Sequence, residues 1–293
     1  MRPFYHTERV VRRRTGPAPG RCRPSAGAAA DPAGATGYRH PVSEGLRERV
    51  RSGEPSLGVF LSLGSPLAAE ACALAGFDWV VADLEHGGGG EEALLGQIHA
   101  AAAHGVPAVV RVESAERIRA GRVLDLGAAG VMFPRLDTVA EVEAAMRHLR
   151  YPPAGDRGVA TYNRALGFGL RRELLDTADE RVLGVVQIES VPALERVGEI
   201  ARVPGVDVLF VGPLDLTSAL GVRGRTDAPE FREATGAVVA AARAAGVAPG
   251  ILAADASSAR GWVEAGFTFV AVASDAVLLA TAARAAASAL ARP

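Results

Sequence analysis

Two short polar segments, each at the end of an apolar run, carry the residues best suited to chemistry in this chain. Gln187 and Glu189 follow the run that starts at Leu183, and Asp215 follows the run that starts at Val208. Such runs predict buried parallel strands, and α/β proteins place reactive groups at strand ends. Residues two apart on a strand project from the same face, so Gln187 and Glu189 should point into one site.

The two carboxylates of Glu189 and Asp215 form an oxygen-rich site that suits a hard divalent cation and leaves positions for water and substrate oxygens. Such a cation can chelate a 2-oxo acid and polarise its carbonyl group. The alternative for each residue alone is structural, with Glu189 capping a helix and Asp215 satisfying a turn.

Lysine is absent from the chain, so the 32 basic residues counted as Lys and Arg are all arginines. A protein amine is needed to form a Schiff base with a carbonyl substrate. The sequence therefore excludes lysine Schiff-base catalysis and leaves a metal ion as the electron sink for carbonyl chemistry.

Charge is unevenly distributed along the 293 residues, of which 49% are hydrophobic. Residues 1–42 hold eight arginines against two acidic residues, whereas the remainder holds 24 arginines against 31 acidic residues. We expect residues 1–43 to be a disordered basic leader and residues 44–293 to form the folded domain. The acidic domain argues against nucleic-acid and membrane partners, and a chain with only Cys22 and Cys72 fits a reducing, cytoplasmic environment.

Eight short apolar runs alternate with alanine-rich helical stretches from residue 44 onward. This pattern predicts a single-domain α/β fold, the (β/α)₈ TIM barrel, because a doubly wound sheet usually shows a glycine-rich turn after its first strand. The irregular segment 150–180 is predicted to be a loop with a short helix beside the barrel mouth. The predicted strands are 58–63, 79–83, 108–112, 130–134, 183–187, 208–211, 249–252 and 267–272.

Further polar residues follow strands two and three, at the same predicted mouth. Asp83, Glu85 and His86 end the second strand, and Arg111 ends the third. An imidazole titrates near neutral pH and suits proton transfer, whereas a guanidinium suits a carboxylate or a developing oxyanion. The four glycines at 87–90 lack the Lys or Ser/Thr of a phosphate loop and are predicted to form a flexible loop.

These motifs, in this order, closely resemble the HpcH/HpaI aldolases, a family of metal-dependent class II pyruvate aldolases. The resemblance implies that His86 is the catalytic base, that Arg111 stabilises the transition state, and that Asp125 raises the basicity of the histidine. The chain departs from the common family pattern at Leu84 and in the glycine run. The segments that carry the resemblance are 75–86, 110–111, 124–128, 150–158, 186–190 and 210–220.

The resemblance also assigns the ligands of the site. It implies metal coordination by Glu189 and Asp215, with Mg²⁺ or Mn²⁺ as the cation and Co²⁺ as a further candidate. It implies substrate contacts from Gln187, Arg111, Asp215 and the backbone at Leu214. It also implies a homo-oligomer, commonly a hexamer with exchanged C-terminal helices.

The predicted function is cleavage of a 4-hydroxy-2-oxo acid to pyruvate and an aldehyde, and the reverse addition. Candidate substrates are 4-hydroxy-2-oxoheptanedioate and a 2-keto-3-deoxy sugar acid. One alternative is a CoA-thioester lyase of the citrate lyase β type, although an acidic barrel without lysine is poorly suited to CoA phosphates. The other is a non-catalytic barrel that binds a 2-oxo acid.

Overall fold

Eight parallel strands form a closed barrel in the computed structural model, which describes residues 45–290. The strands pair in chain order and the eighth closes against the first, which confirms the predicted (β/α)₈ fold. The predicted leader lies outside the described residues. The strands are β1 (Ser56–Leu61), β2 (Trp79–Asp83), β3 (Ala108–Arg111), β4 (Gly130–Phe133), β5 (Leu183–Ile188), β6 (Val208–Val211), β7 (Ala248–Ala253) and β8 (Phe269–Ser274).

Helices surround the barrel, and none in the described part of the chain is long and apolar enough to cross a membrane. Two short 3₁₀ segments, Arg164–Gly169 and Arg172–Leu174, precede the sixth helix. The helices are α1 (Leu46–Ser52), α2 (Pro66–Leu74), α3 (Glu91–Ala103), α4 (Arg117–Asp125), α5 (Val139–Arg147), α6 (Leu175–Arg181), α7 (Val191–Glu195), α8 (Val197–Ile200), α9 (Pro213–Ala219), α10 (Pro229–Ala245), α11 (Ala256–Glu264) and α12 (Asp275–Ala289).

Aromatic side chains fill the inside of the barrel below the mouth. The Trp79 ring stacks on Phe269 with ring centroids 3.7 Å apart. Glycine is required at position 58, because a Cβ atom there would lie 2.3 Å from the Trp79 ring. Leu46 and Val50 of α1 join this inner cluster and close the N-terminal end of the barrel. The packed interior leaves the opposite end, where the strands finish, as the place for chemistry.

Helix caps determine where the chain turns away from the mouth. Ser65, Ser190 and Ser274 each accept a hydrogen bond from the backbone amide three residues on, at the start of the following helix. Thr138 and Asp255 form reciprocal capping boxes. These side chains satisfy amides that lack partners in the first turn, so each helix begins close to a strand end.

The segment 150–180 does not lie beside the mouth, and that prediction was wrong. It connects the end of α5 to the start of β5, and both points are at the N-terminal end of the barrel. There Arg157 Nη2 donates to Asp125 Oδ1 at 2.9 Å and Arg150 Nη2 donates to the Val182 carbonyl at 3.3 Å. The segment follows a helix rather than a strand, which places it opposite the mouth.

Candidate active site

Asp83 and Arg111 form a bidentate ion pair at the mouth. They end β2 and β3 and are partners in the parallel register. Arg111 Nε donates to Asp83 Oδ1 at 2.9 Å, and Nη2 donates to Oδ2 at 2.7 Å. The guanidinium also lies over the Phe60 ring, 5.0 Å from its centroid. Two parallel hydrogen bonds and a ring contact hold Arg111 in one orientation.

The charge of Arg111 is secured by its carboxylate neighbours. Its Nη1 atom lies 3.2 Å from Glu85 Oε2. Burial alone would lower the pKa of Arg111, but the hydrogen bonds and charge of Asp83, with the charges of Glu85 and Glu189, raise it above its ordinary value. Arg111 is therefore a permanent cation that can stabilise a negatively charged oxygen at the mouth.

His86 is held by its backbone and leaves its ring open. The amides of Glu85 and His86 donate to Asp83 Oδ1 at 3.1 and 3.3 Å, as in an Asx turn. The His86 side chain is 68% exposed, and its Nε2 atom lies 3.7 Å from Glu85 Oε1. The imidazole can therefore approach a substrate without first breaking a buried contact.

Glu189 is buried directly after β5 and is held through both oxygens. Oε1 accepts a hydrogen bond from the Arg135 amide at 2.8 Å, and Oε2 accepts one from Gln187 Nε2 at 2.7 Å. A Cβ atom at Gly212 would lie 2.8 Å from Oε2, so only glycine leaves room for this carboxylate. Gln187 Oε1 is buried and has no hydrogen-bond partner within the described residues. Such an oxygen is costly unless it receives a ligand or water.

The electrostatics around Glu189 fit a cation. Burial raises the pKa of Glu189 above its ordinary value, and the charges of Asp215 and Glu85 add to this shift, whereas the Arg135 amide and the charge of Arg111 oppose it. Across residues 45–290, no three His, Cys, Asp or Glu side chains cluster as a complete metal site. Two carboxylates beside an unpaired amide oxygen suit a hard cation that completes its shell with water and substrate.

Asp215 and Leu214 lie in the first turn of α9, directly after β6. Both side chains are exposed at the mouth. Amides in a first helical turn have no partner within the helix, so they are available to a substrate oxygen. The structure thus places the predicted backbone contact at Leu214 beside the predicted ligand Asp215.

Within one copy of the chain, Asp125 is the one predicted site residue that lies far from the others. It ends α4 at the N-terminal end of the barrel, whereas His86 follows β2 at the opposite end. Its partner is Arg157, at 2.9 Å. Its predicted action on a histidine therefore requires the histidine of a second copy.

Sequence reasoning did not assign roles to several residues that shape the site. Asp83 and Glu85 were placed at the mouth, but their pairing with Arg111 depends on the register between β2 and β3. The Arg135 amide gave no sequence signal, since its contribution comes from the backbone alone. A glycine directly after β6 was a usable signal for close approach at Gly212.

The model of the HpcH/HpaI aldolase/citrate lyase family matches residues 56–282. The chain belongs to this family. A hydroxypyruvate/pyruvate aldolase of Paraburkholderia phytofirmans is 43% identical over 245 residues, which are 82% of this chain and 94% of that protein. A 4-hydroxy-2-oxo-heptane-1,7-dioate aldolase of Shigella boydii is 35% identical over 83% of this chain and 94% of its own length.

A solved family structure agrees with the fold. The crystal structure of an HpcH/HpaI aldolase/citrate lyase family protein from Burkholderia cenocepacia is 42% identical and covers 84% of this chain and 98% of its own, with a TM-score of 0.80. Together, these relatives identify the protein as an enzyme of the aldolase class, which confirms the prediction made from its motifs.

Proposed function

We propose that this protein is a metal-dependent aldolase that cleaves 4-hydroxy-2-oxo acids to an aldehyde and either pyruvate or hydroxypyruvate. The observation that carries the proposal is the buried Gln187 carboxamide oxygen, unpaired beside Glu189 at the strand end. The names of the relatives support both 2-oxo acids. They favour an aldolase over the alternative of a CoA-thioester lyase.

Glu189 and Asp215 would hold the cation, which is Mg²⁺, Mn²⁺ or Co²⁺ in this proposal. When bound, the cation polarises the 2-oxo group and supplies the electron sink that a chain without lysine lacks. Gln187 Oε1 would accept a hydrogen bond from a hydroxyl group of the substrate or from a water molecule bound to the substrate. The amide at Leu214 is suited to the substrate carboxylate.

His86 and Arg111 perform the remaining steps of cleavage. His86 removes the proton from the C4 hydroxyl group, the bond between C3 and C4 breaks, and the aldehyde forms at C4. The electron pair of that bond passes to the enolate of the 2-oxo acid. Arg111 stabilises the negative charge on its oxygen until C3 takes up a proton.

A retro-aldol assay tests the proposal. Purified protein with Mn²⁺ is incubated with 4-hydroxy-2-oxoheptanedioate, with a 2-keto-3-deoxy sugar acid, and with hydroxypyruvate-derived aldol adducts, and the released 2-oxo acid and aldehyde are quantified. We expect stoichiometric release of both products. An analogue without the 4-hydroxyl group is the control. Absence of cleavage across the panel, or cleavage of citryl-CoA instead, would contradict the proposal.

Loss of either anionic ligand should weaken metal binding. Replacing Glu189 by Gln or Asp215 by Asn keeps the shape but removes the charge, and we expect Mn²⁺ affinity to fall by more than about a hundredfold, beyond the cost of losing an outer-shell partner. Isothermal titration of metal-free protein measures this. Asp227→Asn, an exposed carboxylate outside the site, is the matched control. Unchanged affinity in both site variants would place the cation elsewhere.

We propose further that the protein is a homo-oligomer, a hexamer by family resemblance, and that it functions in the cytoplasm. Apolar side chains of α12 support assembly, since Val277 is 52% exposed and Leu279 is 63% exposed. The proposed role of Asp125 also requires assembly, because this carboxylate can meet a His86 ring only from another copy. Cys72 is a buried free thiol, as suits a reducing compartment.

Complementation between subunits tests the role of Asp125. Asp125→Asn should lower the rate of cleavage, because the imidazolium formed at His86 loses a stabilising charge. Co-expressed with His86→Ala, it should regain activity, since some sites then combine an intact histidine with an intact carboxylate. The pair His86→Ala and Arg111→Ala is the control, because both residues come from one chain. An Asp125→Asn enzyme with an unchanged rate would contradict the assignment.

A further inference from the structure

Asp275 is a buried carboxylate at the mouth that takes part in no step of the proposed chemistry. It is the first residue of α12, directly after β8, and only 5% of its surface is exposed. Its Oδ1 atom accepts hydrogen bonds from the backbone amide of Ser62 at 2.8 Å, from the Ser62 hydroxyl at 3.0 Å and from the Ala276 amide at 2.8 Å. The Leu63 amide lies 3.3 Å from both carboxylate oxygens.

The loop after β1 that Asp275 holds packs against the four glycines at 87–90. The Gly88 amide donates to the Ser62 carbonyl at 2.8 Å. A Cβ atom at Gly89 would lie 2.9 Å from the Gly64 Cα atom and 2.8 Å from the Ala93 Cβ atom. The two backbones are therefore in direct contact. The glycine run, expected to be a flexible loop, is packed closely at Gly87 and Gly89, where a side chain would have no room.

His86 immediately precedes this glycine run, and its ring depends on the backbone for its position. The ring is mostly exposed, so side-chain packing does little to locate it. One support is the hydrogen bond from its amide to Asp83. The next residue, Gly87, lies so close to the same strand that a Cβ atom would be 2.1 Å from the Asp83 carbonyl oxygen. The second support is the loop after β1.

We infer that Asp275 is a positioning residue, which fixes the loop after β1 against glycines 87–90 and thereby fixes His86 at the mouth. The inference rests on the proposed role of His86 in aldol cleavage. Helix capping does not explain Asp275, because the cap of α12 is Ser274, whose hydroxyl accepts from the Val277 amide at 3.3 Å. The hydrogen bonds of Asp275 with Ser62 and Leu63 instead join two segments of the mouth that are far apart in the sequence.

The backbone two residues before Asp275 has an unusual conformation. Ala273 has a φ of 53°, in the left-handed region that residues with a Cβ atom rarely adopt. Such strain persists only where the surroundings impose it, and it is frequent near functional sites. This strained residue lies within β8, two residues before Asp275 makes its contacts with the loop after β1.

The test compares two reactions of the Asp275→Asn variant. Aldol cleavage requires His86 to remove a proton, whereas decarboxylation of oxaloacetate forms the pyruvate enolate by loss of CO₂ and removes no hydroxyl proton. We expect kcat for cleavage to fall about tenfold to a hundredfold, as when a catalytic group is displaced by about 1 Å, while decarboxylation and Mn²⁺ affinity stay unchanged. Asp255→Asn, at the exposed cap of α11, is the matched control and should leave both reactions unchanged.

Gly89→Ala provides a second route to the same result, because the added methyl group separates the two loops without touching Asp275. It should also slow cleavage selectively, and it decides the question if Asp275→Asn does not fold. Variants that lose both reactions in parallel, or retain both, would show a purely structural role and overturn the inference. Failure of the proposed function would instead be seen in the wild-type protein, as absence of cleavage.

Discussion

Removal of the divalent cation should abolish aldol cleavage completely. The enolate formed when the bond between C3 and C4 breaks needs an electron sink, and the chain has no lysine that could form a Schiff base in its place. Arg111 alone cannot replace the cation, because its guanidinium already pairs with the carboxylates of Asp83 and Glu85. We expect no pyruvate release from protein exhaustively treated with EDTA and shown to be metal-free by elemental analysis.

Re-addition of cations provides the control for this experiment. Mg²⁺, Mn²⁺ and Co²⁺ should each restore cleavage, and Ca²⁺, which prefers a larger and more flexible coordination shell, should restore it poorly. Circular dichroism of the metal-free protein should show an intact barrel, because the core of the barrel is apolar and does not include the ligands. Sustained turnover by protein without detectable metal would refute the class II mechanism.

Replacement of His86 by Ala should slow aldol cleavage by roughly a hundredfold to ten-thousandfold, the usual cost of losing a general base. The fold should survive, because the ring is exposed and forms no buried contact. Metal affinity should survive as well, since the predicted ligands follow β5 and β6 rather than β2. Steady-state kinetics with a 4-hydroxy-2-oxo acid measure the effect.

His104→Ala is the matched control for this substitution. His104 lies at the end of α3 beside Glu70, at 3.2 Å, and has no part in the site. Its variant should retain the rate of the parent enzyme. A parental rate in His86→Ala would reassign the base, and Glu85 would be the next candidate because its Oε1 atom lies 3.7 Å from the histidine ring.

Much of the candidate site could be predicted from the chain because the ends of parallel strands share one face. Once eight apolar runs were recognised, Asp83, His86, Arg111, Glu189 and Asp215 had to meet at one end of a closed barrel. Strand existence was robust for the same reason, since runs rich in Val, Ile and Leu are buried on both faces. The bounds of every predicted strand lie within two residues of those observed.

Contacts that depend on pairing between distant elements could not be predicted. Asp275 meets Ser62, 213 residues away, and the Arg135 amide meets Glu189, 54 residues away. Neither contact has a local pattern, because one depends on closure of β8 against β1 and the other on a backbone amide that every residue but proline has. The glycine run could not be distinguished from a flexible loop until the loop after β1 was seen to pack on it.

The sequence by itself thus determined the barrel, the end of it at which the candidate site residues lie, and the exclusion of lysine Schiff-base catalysis, because these follow from periodicity, strand direction and composition. Tertiary structure alone decided that Asp83 holds Arg111, that the segment 150–180 lies opposite the mouth, and that Asp125 is separated from His86 within one chain. These features depend on the register between neighbouring strands and on the end of a helix at which a residue lies. Both are defined only in the closed barrel.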